Sequence, residues 1–169
     1  MDCIFPGSFD PITCGHLNLI KRISAIFNHV TVTLMINRNK NGCIPYDERL
    51  RLIQKACGDM DNVNVEYWQG LLSDYMRNHP GSIVVRGVRN AQDFEQEKLA
   101  AAINRELNPD IETIFFPSVS EFELVSSSTV REIASFGGDY KKYVPDSIST
   151  DLDKWLKPTG LKGGVSYGK

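Results

Sequence analysis

The sequence predicts an α/β fold: a mostly parallel sheet of five strands with helices on both faces. Three observations lead there. Short apolar, β-branched runs alternate with amphipathic stretches at helical spacing. That alternation argues for right-handed βαβ crossovers. The polar residues that no core needs gather just after the strands, and ligands bind at that edge of open α/β sheets. Finally, 169 residues with 41% hydrophobic and 24% charged side chains suit one ordinary domain rather than a disordered or fibrous chain.

Residues 2–6 are an apolar run that ends at Pro6-Gly7, a strand followed by a turn. From Gly15 to Phe27, Leu19, Ile20, Ile23, Ile26 and Phe27 form one helical stripe. Val30 to Ile36 is rich in β-branched residues and reads as a buried strand, with a polar loop from Asn37 to Gly42. Tyr46 to Cys57 reads as a helix capped near Asp47, and Asn62 to Trp68 alternates as a strand. Leu71 to Asn78 is a short helix stopped by Pro80-Gly81, and Ser82 to Val85 is a compact strand. Asn90 to Leu107 is a long helix ended by Asn108-Pro109, followed by a strand from Ile111 to Phe116. Thr129 to Phe136 is a helix stopped by Gly137-Gly138, with Thr129 and Glu132 as a capping box. A last helix covers Ser147 to Leu156. The expected domain runs from 1 to 157, and the Gly-rich residues 158–169 read as a mobile tail.

Nineteen basic against 21 acidic residues give a net charge of −2, which argues against a nucleic-acid binder. No apolar stretch approaches the roughly 18 residues of a membrane span. No secretory signal is visible, and the first motif starts too near Met1 for a transit peptide. Cys3, Cys14, Cys43 and Cys57 form no CxxC pair, so they read as reduced thiols of a cytoplasmic protein rather than as zinc ligands.

The most informative segment is GSFDPITCGH, residues 7–16. It joins a strand to a helix. Gly7 and Gly15 let backbone approach a ligand, Asp10-Pro11 makes a turn, and His16 falls at a helix start, where N–H groups favour phosphate. Ser8 and His16 then face one space. Arg86 and Arg89, with Gly87 between them, follow another strand and suit a phosphate cradle.

GSFDPITCGH resembles the (T/H)xGH signature of the nucleotidyltransferase superfamily. Within it the chain closely resembles the phosphopantetheine adenylyltransferase family, from residue 2 to about 157. RGVRNAQDFEQE (86–97), FELVSSSTVRE (122–132) and NRNK (37–40) carry the likeness alongside it. The resemblance implies a Rossmann-like fold and adenylyl transfer from ATP to 4′-phosphopantetheine, giving dephospho-coenzyme A and pyrophosphate. It implies that His16 is catalytic. It places ATP against Ser8, Phe9, His16, Gly87, Val88, Arg89, Glu97 and residues Phe122, Glu123, Leu124, Val125, Ser126, Ser127 and Ser128. It places the acceptor against Ser8, Lys40, Leu72 and Arg86. Ser8 stands where the family usually has Thr. Mg²⁺ is expected with ATP, without a named protein ligand. Relatives assemble as hexamers, so a homo-oligomer is expected, with neither nucleic acid nor membrane as partner.

Two rival readings differ in kind. A nicotinamide-mononucleotide adenylyltransferase usually carries His where this chain has Thr13. A nucleotide-binding regulatory module without catalysis sits poorly with intact His16, Lys40 and Arg89.

Overall fold

The computed structural model describes residues 1–37 and 42–158. Five strands and six α-helices alternate through most of them: β1 (Asp2–Gly7), α1 (Cys14–Ser24), β2 (His29–Ile36), α2 (Tyr46–Cys57), β3 (Val63–Gln69), α3 (Leu72–Arg77), β4 (Ile83–Val88), α4 (Ala91–Leu107), β5 (Thr113–Pro117), α5 (Ser127–Ser135) and α6 (Asp146–Ser149). The strands form one sheet in the order β3-β2-β1-β4-β5, and all four neighbouring pairs are parallel. The chain winds outward from β1 through β2 to β3, then returns to set β4 on the other side of β1. The order reverses between β1 and β4, so a crevice opens where their carboxyl ends diverge.

Strand alternation explains the two faces. Cys3, Phe5 and Val85 point into the larger core, with Leu19, Ile20 and Ile23 of α1, Leu52 and Ile53 of α2, and Val130 of α5. Ile4 and Val84 point the other way, onto Tyr75 and Met76 of α3. Helices therefore cover both faces, as the sequence predicts.

Several local boundaries depart from the sequence reading; α1 ends at Ser24, short of Phe27, and leaves Ile26 64% exposed. Strand β4 runs on through Arg86, Gly87 and Val88, because β5 continues to pair with it as far as Pro117. The start of α2 is set by Pro45 with no side-chain cap, not by Asp47. Helix α5 begins at Ser127 with Ser126 as its cap, so Thr129 donates its N–H to Ser126 rather than heading a capping box with Glu132. The last predicted helix breaks into the single turn of α6 and a 3₁₀ segment, Asp151–Lys154.

Candidate active site

A cavity of about 380 Å³ opens at the β1–β4 crevice. Ser8 and Phe9 reach it from the β1–α1 connection, His16 from the first turn of α1, Arg86, Gly87 and Arg89 from the end of β4, and Glu97 from α4. Phe122, Val125 and the three serines 126–128 close another side. A second cavity of about 340 Å³ shares Ser8, Arg86 and Glu97 with the first and continues to Leu72, Ala100 and Ala101. The small side chains of α4 there leave room that a longer residue would fill. Three predicted nucleotide residues do not line either cavity: Val88, Glu123 and Leu124. Val88 is held in the sheet, its carbonyl taking the Ser118 N–H, and Leu124 projects into solvent at 87% exposure. Lys40 lies outside the described residues.

His16 is held by its own helix. Thr13 caps α1, its Oγ1 accepting the His16 N–H at 3.4 Å. In return the His16 ring takes the Thr13 backbone N–H on Nδ1 at 3.0 Å, with Thr13 Oγ1 2.9 Å from the same nitrogen. A nitrogen that accepts a backbone N–H carries no proton, so the neutral ring bears its hydrogen on Nε2. Burial, then the nearby Arg89 and Arg86 guanidinium groups, pulls this histidine from the ordinary 6.5 down to about 4. Near neutral pH, His16 is therefore an uncharged hydrogen-bond donor of defined tautomer. The Phe9 ring meets the imidazole edge-on, with centroids 5.2 Å apart.

Phe9 also explains Gly7. Its φ is +41°, in the left-handed region, and its ring folds back over β1. A Cβ on Gly7 would stand 2.8 Å from that ring. Gly7 is thus demanded by a protein contact, whereas a Cβ on Gly15 would meet nothing closer than 3.5 Å.

The arginines are arranged differently. Arg86 grips Glu97 with two bonds, Nε to Oε2 at 2.6 Å and Nη2 to Oε1 at 2.7 Å, and donates a third to the Pro6 carbonyl. Arg89 holds Asp93 in the same forked manner, at 2.6 and 3.1 Å. Both pairs are about two-thirds or more buried. Asp93 and Glu97 stand one turn apart on α4, a planar carboxylate offered to each guanidinium fork. A phosphate has matching acceptor geometry.

The three serines do more for the protein than the sequence reading allowed. Ser126 Oγ caps α5 and lies 2.9 Å from Ser128 Oγ, and Ser127 Oγ donates to the Pro11 carbonyl at 2.7 Å. They still bring the amino end of α5 to the cavity, where its free N–H groups and positive dipole end favour an anion. The sequence reading also missed Arg131, Asp93 and Thr13, all of which line the cavity. Arg131 and Asp93 lie inside the quoted motifs, but their spacing on a helix gives no hint of which face meets the crevice.

The chemistry available is that of an anion site: three arginines, two helix N-termini and one neutral imidazole donor converge on one cavity. The cytidylyltransferase-like family model matches residues 4–133. A phosphopantetheine adenylyltransferase of Rubrobacter xylanophilus is 48% identical over 86% of this chain and 88% of its own length. One of Clostridium tetani is 43% identical over 89% of this chain and 94% of its own. Among solved structures, a bifunctional NMN adenylyltransferase/ADP ribose pyrophosphatase from Francisella tularensis shares the fold over 92% of this chain and 49% of that one. Its TM-score is 0.70 and its identity 16%. A nicotinic acid mononucleotide adenylyltransferase of Plasmodium falciparum gives a TM-score of 0.58 at 19% identity, covering 89% of this chain and 95% of its own. Identity of 40% or more over nearly the whole length separates the first two from the last two, and the chain belongs to the phosphopantetheine adenylyltransferase family of nucleotidyltransferases.

Proposed function

We propose that the protein transfers the adenylyl group of ATP to 4′-phosphopantetheine, releasing pyrophosphate and forming dephospho-coenzyme A, a reversible step of coenzyme A biosynthesis. The single observation that carries the mechanism is the neutral, Nε2-protonated His16 standing between two phosphate-seeking arrays. A phosphate oxygen of the acceptor attacks the α-phosphorus in line. The bond from that phosphorus to the β-bridging oxygen breaks, and pyrophosphate carries away the electron pair. The acceptor phosphate is already anionic, so no base and no covalent enzyme intermediate are needed.

Catalysis then rests on placement and on stabilising negative charge in the transition state. His16 donates from Nε2 to a non-bridging α-oxygen. Arg89 and the amino end of α5, with Ser126, Ser127 and Ser128, hold the β- and γ-phosphates. Phe9, Gly87, Glu97, Phe122 and Val125, which line the cavity, complete the nucleotide side. Arg86, Ser8 and Lys40 hold the acceptor phosphate, and Leu72 meets the pantetheine arm, in keeping with its place on the second cavity. Each arginine exchanges its carboxylate for phosphate as substrate enters.

Mg²⁺, bound with ATP, would supply neutralisation of charge on the phosphates. The ion would be held by the phosphates and water, since the described residues offer no group of three or more His, Cys, Asp or Glu side chains that could hold it. A cytoplasmic homo-oligomer, a hexamer by family likeness, completes the proposal. Helix α4 buries none of its residues within one chain, and Leu99 and Ile103 are 64% and 51% exposed, an apolar face suited to a second copy. No helix among the described residues is long and apolar enough to cross a membrane.

The deciding experiment measures pyrophosphate release from Mg-ATP with 4′-phosphopantetheine or nicotinamide mononucleotide as acceptor. Release with the first alone, with dephospho-coenzyme A formed, is expected. Release with the mononucleotide alone overturns the substrate assignment. ATP binding without release in either case favours a regulatory module.

A further inference from the structure

Asp10 and Arg49 form a buried ionic centre that lines neither cavity and has no role in the mechanism above. They are 7% and 4% exposed. Asp10 Oδ2 accepts the Cys43 N–H and Oδ1 the Ile44 N–H, both at 2.9 Å. Arg49 Nε stands 3.3 Å from Oδ1 and donates to the Ile44 carbonyl at 2.6 Å, and Nη1 donates to the Ser8 carbonyl at 3.2 Å. The Asp10 carbonyl in turn accepts Arg131 Nη1. Gly42 lies flat against the pair, since a Cβ there would fall 1.3 Å from Arg49 Nη2 and 2.8 Å from Asp10 Oδ2.

A buried ion pair is weak evidence for stability, because well-packed apolar side chains often fill such a site as favourably. What apolar side chains cannot supply is direction. These bonds tie together the β1–α1 connection, the segment that leads into α2, α2 itself and α5. Two of the backbone groups held this way belong to, or grip, cavity residues: the Ser8 carbonyl and the Asp10 carbonyl that takes Arg131.

We propose that Asp10 and Arg49 are positioning residues for adenylyl transfer, Arg49 setting the Ser8–Phe9 peptide and Asp10 setting Arg131. The proposal rests on the reaction proposed above. The Ser8–Phe9 peptide is trans, so anchoring its carbonyl on Arg49 aims the Phe9 N–H the opposite way. The left-handed Phe9 is a conformation that surroundings must impose on a residue with a Cβ, and Arg49 is one of the groups imposing it. A lysine at 49 keeps the charge but cannot reach Ile44, Asp10 and Ser8 together, because it lacks the planar fork.

The test compares wild type, Arg49→Lys and Gly42→Ala, well below their melting temperatures. Steady-state kinetics, ATP Kd and the ¹⁵N–¹H resonance of Phe9 are measured on each. Both variants are expected to lose roughly 10- to 100-fold in kcat per folded molecule, as a sub-ångström displacement near the reacting atoms produces. ATP Kd should change less than about threefold, and the Phe9 amide should shift. Unchanged kcat in a folded variant overturns the proposal, even if its melting temperature falls. A loss that only tracks the unfolded fraction overturns it as well. Should wild type release no pyrophosphate with either acceptor, the proposed reaction fails separately. The Phe9 resonance then decides this inference: a shift upholds the anchoring, and an unmoved amide overturns it.

Discussion

The two walls of the cavity present polar groups by opposite means. On the β1–α1 wall, His16 is neutral and is held by short-range bonds within its own helix start. On the β4–α4 wall, Arg86 and Arg89 are charged and are held by carboxylates 11 and four residues along the chain, both on α4. The first arrangement does not depend on substrate. The second is an exchange, since carboxylate and phosphate compete for the same guanidinium fork. In the proposed reaction the difference means that a rigid donor meets the reacting atom, while groups already oriented by a surrogate anion meet the flanking phosphates.

Four changes break or sharpen that contrast. Removing the rigid donor has the largest effect. His16→Ala should lower kcat by about 10³-fold, in the range seen when a preorganised transition-state donor is lost. Isothermal titration should show ATP still binding, and a kcat near wild type would remove His16 from the reaction. Arg89→Ala acts on the exchanging wall, so it should chiefly raise the KM for ATP, by about 10- to 100-fold, as for a lost charged hydrogen bond or two. A change confined to kcat would contradict the contrast.

Thr13→Val leaves the backbone N–H on His16 Nδ1 but removes Oγ1, both the cap of α1 and a neighbour of the ring. About 1 kcal/mol of stability should go with the cap. A drop of about fivefold in kcat should accompany it, from a less firmly held imidazole. Thermal melts and initial rates read the two separately.

The smallest effect on activity is that of pH. With its folded-state value near 4, His16 should add no inflection to kcat/KM between pH 6 and 8. Linkage adds a sign. Between about 4 and 6.5 the unfolded chain binds a proton at His16 that the native one does not, so stability should fall as pH drops through that window. Melting temperatures of wild type and His16→Gln from pH 7 to 4.5 should converge as the pH falls, and parallel curves would contradict the half-buried neutral ring.

Much of the site was legible before any fold was known. Ser8, His16, Arg86, Arg89 and Glu97 lie in motifs, and the structure brings them to one cavity. The misses have specific causes. Val88 reads as part of a loop until β5 pairs with it, because a ladder partner 29 residues away is invisible locally. The serines read as ligands alone until Ser126 proves to be the cap of α5 and Ser127 a clamp on Pro11. Thr129 with Glu132 satisfied a local pattern, but a serine three residues earlier was already taking that N–H.

From the amino-acid order alone came the alternation of strand and helix, the parallel sheet, the edge where ligands meet it and the family. All of these depend on periodicity and on short motifs, which are properties of neighbours in the chain. The tertiary structure alone decided the tautomer of His16, the carboxylate partners of Arg86 and Arg89, the clash that makes Gly7 obligatory and the Asp10–Arg49 centre. Those depend on which atoms meet across loops, and burial and hydrogen-bond direction act only once distant segments have been packed together.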